Sequence, residues 1–104
     1  MIIIETPLFT SQIKALAGDD DYAALQIELI RDPAAGALIP GGGGIRKIRM
    51  RLPGRGKSGG ARVIYFWRKG EATVLMLLAY AKNVRTNLSA SQVAILRDLV
   101  KELR

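Results

Sequence analysis

The sequence predicts an α+β fold: an N-terminal strand and a helix hairpin packed on a mostly antiparallel twisted sheet, with a C-terminal helix. Three observations predict it. Apolar residues recur at spacings of three and four between Leu8 and Leu29, change to a period of two from Ile45, and return to helical spacing after Ser89. Helical and extended segments come in runs and do not alternate regularly, which argues against a parallel βαβ sheet. Two β-rich segments are joined through Lys69-Gly70-Glu71, the length of a hairpin connection. At 104 residues, a second core would leave each half too small to offset chain entropy, so residues 1–104 are expected to form one domain.

The elements follow in order. Ile2 to Glu5 reads as a short strand, and Thr6-Pro7 supplies an N-cap with proline at the first helical position. Leu8, Phe9, Ile13, Leu16 and Ala17 are expected to face inward, until Gly18 stops the helix. Asp19-Asp20-Asp21 suits the start of a second helix, because carboxylates accept its unpaired amide hydrogens and complement its positive end. Tyr22, Leu25 and Leu29 form its expected inner face, and Pro33 ends it. Residues 32–44 are rich in Gly and Ala and predict a loop, with Ala37 to Ile39 as a possible edge strand. From Ile45, alternation puts Ile48, Met50 and Leu52 on one face and Lys47, Arg49 and Arg51 on the other.

Pro53 to Gly60 has no large apolar side chain and four glycines, so it predicts a loop. Ala61 to Arg68 and Thr73 to Ala81 are apolar on both faces and predict central strands. Ser89 with Gln92 forms a capping box before a last helix whose stripe is Val93, Leu96, Val100 and Leu103, with Ile95 and Leu99 alongside.

Composition narrows the chemistry. With no cysteine and no histidine, the chain lacks disulfides, thiolate nucleophiles, the usual zinc ligands and the common neutral-pH acid–base group, so no metal site is expected. Its longest apolar run, Val74 to Ala81, is far below the ~20 residues that cross a bilayer. The N-terminus lacks the charged start of a signal peptide, so a cytoplasmic location is expected. The net charge of +7 is local: residues 45–69 hold nine basic residues and no acidic one. A solvated face normally mixes signs, so this block predicts a polyanion partner. Gly54-Arg55-Gly56-Lys57-Ser58 ends like a nucleotide-binding loop, but Arg51 stands where that pattern needs its first glycine, and a strand follows instead of a helix. No nucleotide cofactor is expected; Arg55 and Lys57 between glycines instead suit close contact with a phosphate chain.

The stretch from Gly42 to Leu96 resembles the RelE/HigB superfamily of toxin–antitoxin ribonucleases, especially its HigB-like branch. The resemblance is carried by Ile45-Arg46-Lys47-Ile48-Arg49, by Gly54 through Trp67 (GRGKSGGARVIYFW), by Tyr80-Ala81-Lys82-Asn83, and by Asn87-Leu88-Ser89. It implies the toxin of a type II system: a metal-independent endoribonuclease without cofactor that cuts mRNA on the ribosome and so inhibits translation. Such cleavage uses the RNA's own 2′-hydroxyl as nucleophile, so the protein must position phosphate, stabilise charge and assist two proton movements. Carried over by position, Arg62 is the expected phosphate-stabilising catalytic residue, and the role of a planar guanidinium that only positions phosphate stays open beside it. Lys47 and Lys57 match basic positions of the family site, either being a candidate proton acceptor, and Lys82 is a candidate to aid the leaving 5′-oxygen. Arg46, Arg49, Arg51, Arg55, Tyr80 and Asn83 are the expected RNA contacts. Tyr65, Trp67 and Tyr80 can stack on bases or pack in the core. The chain departs from the better-known RelE pattern at Asn83, where some members carry arginine, and in having no tyrosine after Lys82. The resemblance also implies a cognate antitoxin, often a helix-turn-helix DNA binder. Two alternatives remain at this level: a non-catalytic RNA- or ribosome-binding module, and a DNA-regulatory partner of an antitoxin.

Overall fold

The computed structural model describes residues 1–52, 60–84 and 87–103. The elements are β1 (Ile2–Glu5), α1 (Pro7–Leu16), α2 (Asp19–Arg31), β2 (Ala37–Leu38), β3 (Ile45–Met50), β4 (Ala61–Arg68), β5 (Thr73–Ala81) and α3 (Ala90–Lys101), with a 3-10 turn at Lys69–Glu71. The strands form one sheet in the order β1-β5-β4-β3-β2. Pairings from β2 to β5 are antiparallel, whereas β1 lies parallel to β5, so the sheet is mixed. Topology explains the parallel edge. The chain leaves β1 at one edge and returns as β2 at the other, and α1 and α2 supply the crossing over one face.

That face holds the first core: Phe9 and Ile13 of α1, Leu25 and Leu29 of α2, and Ile48, Met50, Ala61, Val63, Tyr65, Val74, Met76 and Ala79 of the sheet. Thr6 caps α1 by accepting from Phe9 N at 3.0 Å, and its hydroxyl donates to Leu77 O at 2.9 Å. Gln12 Oε1 accepts from Ala79 N at 2.9 Å, so α1 supplies partners to β5 beyond the end of β1. Glu5, at the end of β1, accepts from Thr10 Oγ1 at 2.6 Å and from Tyr22 OH at 2.7 Å, which ties both helices to the strand. α2 starts one residue earlier than a carboxylate cap would place it: Gly18 is the N-cap, and Asp21 reaches back to accept from Gly18 N at 3.2 Å.

The opposite face carries α3. Its capping box is formed, with Ser89 Oγ accepting from Gln92 N and Gln92 Oε1 from Ser89 N. Leu96 and Val100 bury against Ile45, Ile64, Phe66, Leu77 and Tyr80. Three expected inward residues face solvent instead: Leu8 (57 % exposed), Ile95 (68 %) and Leu99 (47 %). Each helix meets the sheet along one line, and these residues lie about 100° round the axis from Phe9, Leu96 and Val100 respectively.

Two irregularities shape the sheet. A bulge in β5 follows the Ile64–Leu78 pair, because the next pair is Tyr65–Met76 and Leu77 has no opposite residue. Val74 and Met76 therefore face the helix hairpin, Leu77 and Leu78 both turn to the α3 side, and Ala79 returns to the hairpin side. Gly60 sits where a Cβ would lie 2.5 Å from Met50 O, so only glycine fits this close approach.

Candidate nucleic-acid interface

The register aligns one row of side chains across three strands. Arg49 of β3 pairs with Arg62 of β4, and Arg62 pairs with Tyr80 of β5. All three project from the α3 side: Arg49 is two residues from Lys47 and four from buried Ile45, Arg62 alternates with Ile64 and Phe66, and Tyr80 belongs to the α3-side cluster. The bulge places Tyr80 here. Without it, strict alternation from Val74 and Met76 would send residue 80 into the hairpin core.

Two arginines directly opposite each other cost stability, as like charges do across strands. Among the described residues no carboxylate comes within ion-pair distance of either; the one ion pair there joins Arg97 to Asp98 at 3.6 Å on the surface. Arg62 is only 7 % exposed, and its one hydrogen bond among the described residues runs from Nη1 to Ala61 O at 3.2 Å. A guanidinium has five donors, and no buried side-chain nitrogen among the described residues lacks a partner, so the others reach the open side of the group. A half-buried cation with outward donors is suited to hold two oxygens of a phosphate.

The remaining expected residues divide by position. Lys82 follows β5 directly, and its backbone N–H donates to Gly60 O at 3.0 Å, which sets it at the Arg62 end of the sheet. Asn83 is exposed in the same turn. Lys47 lies one row along β3 from Arg49, and its Nζ donates to Asn87 Oδ1 at 2.6 Å. Arg51 is exposed just past β3, beside a cleft of about 440 Å³ whose other wall carries Asp20, Asp21 and Glu28. Arg55 and Lys57 lie outside the described residues.

Arg46 does not join the row. Alternation sends it to the helix-hairpin side opposite Tyr65, where Nη1 donates to Gly36 O at 2.8 Å and to Ala34 O at 3.2 Å. It braces the loop before β2. Tyr65 is core: its hydroxyl donates to Pro33 O and accepts from Gly36 N, each at 2.8 Å, and burial pushes its pKa above the usual 10.0 while the Gly36 bond opposes that rise. Trp67 packs partly against the first core, with the Lys69 ammonium 5.0 Å from its ring centre. Of the three strand aromatics, Tyr80 alone lies with the cations. The Lys47–Asn87 contact spans 40 residues of sequence, and no local pattern announces it.

A small α+β domain that gathers unpaired cations on one sheet face, away from its carboxylates, belongs to the class of polyanion-binding proteins. The family is more definite. The model for the RelE toxin of the RelE/RelB toxin–antitoxin system matches residues 26–104, and the chain belongs to that family of translation-inhibiting toxins. The match includes every strand of the cation row.

Proposed function

We propose that this chain is the toxin of a type II pair, of the HigB-like branch, and that it cuts mRNA in the ribosome through the α3-side cations. The Arg49–Arg62–Tyr80 row carries the reading, because cleavage by the RNA's own 2′-hydroxyl asks the protein for charge and placement and not for a nucleophile. The 2′-oxygen attacks the adjacent phosphorus, the bond to the 5′-oxygen breaks, and the leaving oxygen takes a proton, which leaves a cyclic phosphate and a 5′-hydroxyl. Arg62 holds the phosphate oxygens as their charge builds. Lys47 and Lys57 are the candidates to receive the 2′-hydroxyl proton, and Lys82 supports the leaving oxygen. Arg49, Arg51 and Arg55 contact neighbouring phosphates, with Tyr80 and Asn83 beside the bases. No metal or cofactor enters these steps. Work on translating ribosomes makes the cytoplasm its place of action.

The proposed partner is a cognate antitoxin with a helix-turn-helix DNA-binding part, whose acidic segments compete with RNA for the cation row. A small helix-turn-helix reading frame beside this gene is the expected finding. Purified protein added to programmed ribosomes is expected to generate new message 5′ ends. Intact message at saturating protein, with salt-dependent RNA binding retained, overturns the nuclease in favour of a binding module.

A further inference from the structure

We infer that Asn87 is a positioning residue of the RNA site, holding the Lys47 ammonium in place beside the cation row so that it meets a phosphate. The inference rests on reading the α3-side cations as a phosphate site. Lys47 sits on the same face of β3 as Arg49, and its Nζ reaches across to the segment between β5 and α3, where Asn87 Oδ1 accepts at 2.6 Å. A lysine stem has four rotatable bonds, so an unanchored ammonium samples many positions; this bond selects one. It uses one of three donors and leaves two for phosphate oxygens.

The anchor is itself held. Asn87 stands two residues before Ser89, whose reciprocal bonds with Gln92 fix the start of α3, and Leu88 between them packs on the α3-side core. Lys47, Asn87, Leu88 and Val93 line one cleft of about 370 Å³, so the ammonium stands at a recess between β3 and the α3 entrance. The acceptor's chemistry is the informative part. An amide oxygen orients an ammonium without cancelling its charge, whereas a carboxylate there would form an ion pair and compete with the phosphate. A contact that served only to tie the segment to the sheet would work at least as well with aspartate.

The test is a double-mutant cycle on the full chain, read as affinity for a fluorescein-labelled single-stranded RNA, with melting temperatures measured in parallel. Asn87→Ala is expected to weaken binding about threefold and Asn87→Asp about tenfold, the second despite an intact acceptor. Both effects are expected to vanish in a Lys47→Met background. Wild-type affinity in Asn87→Asp, or an Asn87→Ala loss that persists undiminished beside Lys47→Met, overturns the inference. Message cutting on ribosomes reads the other question: coupling without cutting overturns the nuclease alone, and cutting without coupling overturns the positioning role alone.

Discussion

The two faces of the sheet treat polar side chains in opposite ways. On the helix-hairpin side, each polar group among the first-core neighbours has a partner: Arg46 holds two loop carbonyls, Tyr65 bridges Pro33 and Gly36, and Glu5 collects two hydroxyls. On the α3 side, Arg49 and Arg62 face each other across strands with no described carboxylate within ion-pair reach. Partnered groups on one face serve the fold; on the other, the cations are left open to an outside anion and the fold carries their mutual repulsion.

Substitutions on the two faces should therefore separate stability from activity. The largest separation is expected between Arg62→Ala and Phe9→Ala. Removing Arg62 should slow message cleavage about a hundredfold or more while the melting temperature stays close to wild type. Removing the fully buried Phe9 ring should cost about 3–5 kcal/mol of unfolding free energy in denaturant titration, with cleavage per folded molecule unchanged. A large stability loss in Arg62→Ala would break the division.

Tyr65→Phe comes next, since it leaves the Gly36 amide hydrogen without its partner: a loss of about 1–3 kcal/mol is expected in the same titration, with RNA binding intact. A finer contrast lies within one strand. Arg46→Ala should lower stability by about 1 kcal/mol and leave the salt dependence of RNA binding alone, while Arg49→Ala should reduce the salt slope by about one. Identical behaviour of these two variants would show that alternation does not sort the cations of β3.

The smallest effect concerns alkaline pH. Burial, assisted by Glu5, raises the pKa of Tyr22, and burial raises that of Tyr65, each above the model value of 10.0. Above that value the unfolded chain binds fewer protons than the folded one, so their contribution is complete below pH 10 and falls as pH rises further. Tyr22→Phe should flatten the stability–pH curve in that range.

Much of the architecture was legible because local signals and tertiary structure agree. β1, β4 and β5 have the bounds expected from composition, and the Thr6-Pro7 start of α1 and the Ser89–Gln92 box lie where short-range hydrogen bonding puts them. Leu8, Ile95 and Leu99 were misplaced because helical spacing defines a stripe but not how much of it a neighbouring sheet covers. The parallel placement of β1 depends on a crossing through two helices, which no local pattern encodes. In the site, alternation on β3 correctly grouped Lys47 with Arg49, and it also separates Arg46 from them, since neighbours on a strand point to opposite faces. The Asn87 contact depends on how the α3 entrance folds back over β3, a fact of tertiary structure alone.

The β5 bulge makes chain length part of the site's composition. Tyr80 stands opposite Arg62 because Leu77 occupies an extra position in β5. Deleting one residue between Leu77 and Ala79 would restore strict alternation and exchange the faces of everything that follows: Tyr80 would turn toward the helix hairpin and an alanine would take its place beside the arginines. Most surface positions of this sheet accept a change of side chain without disturbing the others. Here the count of residues is the constraint, and a single deletion would alter the hairpin core and the cation row together.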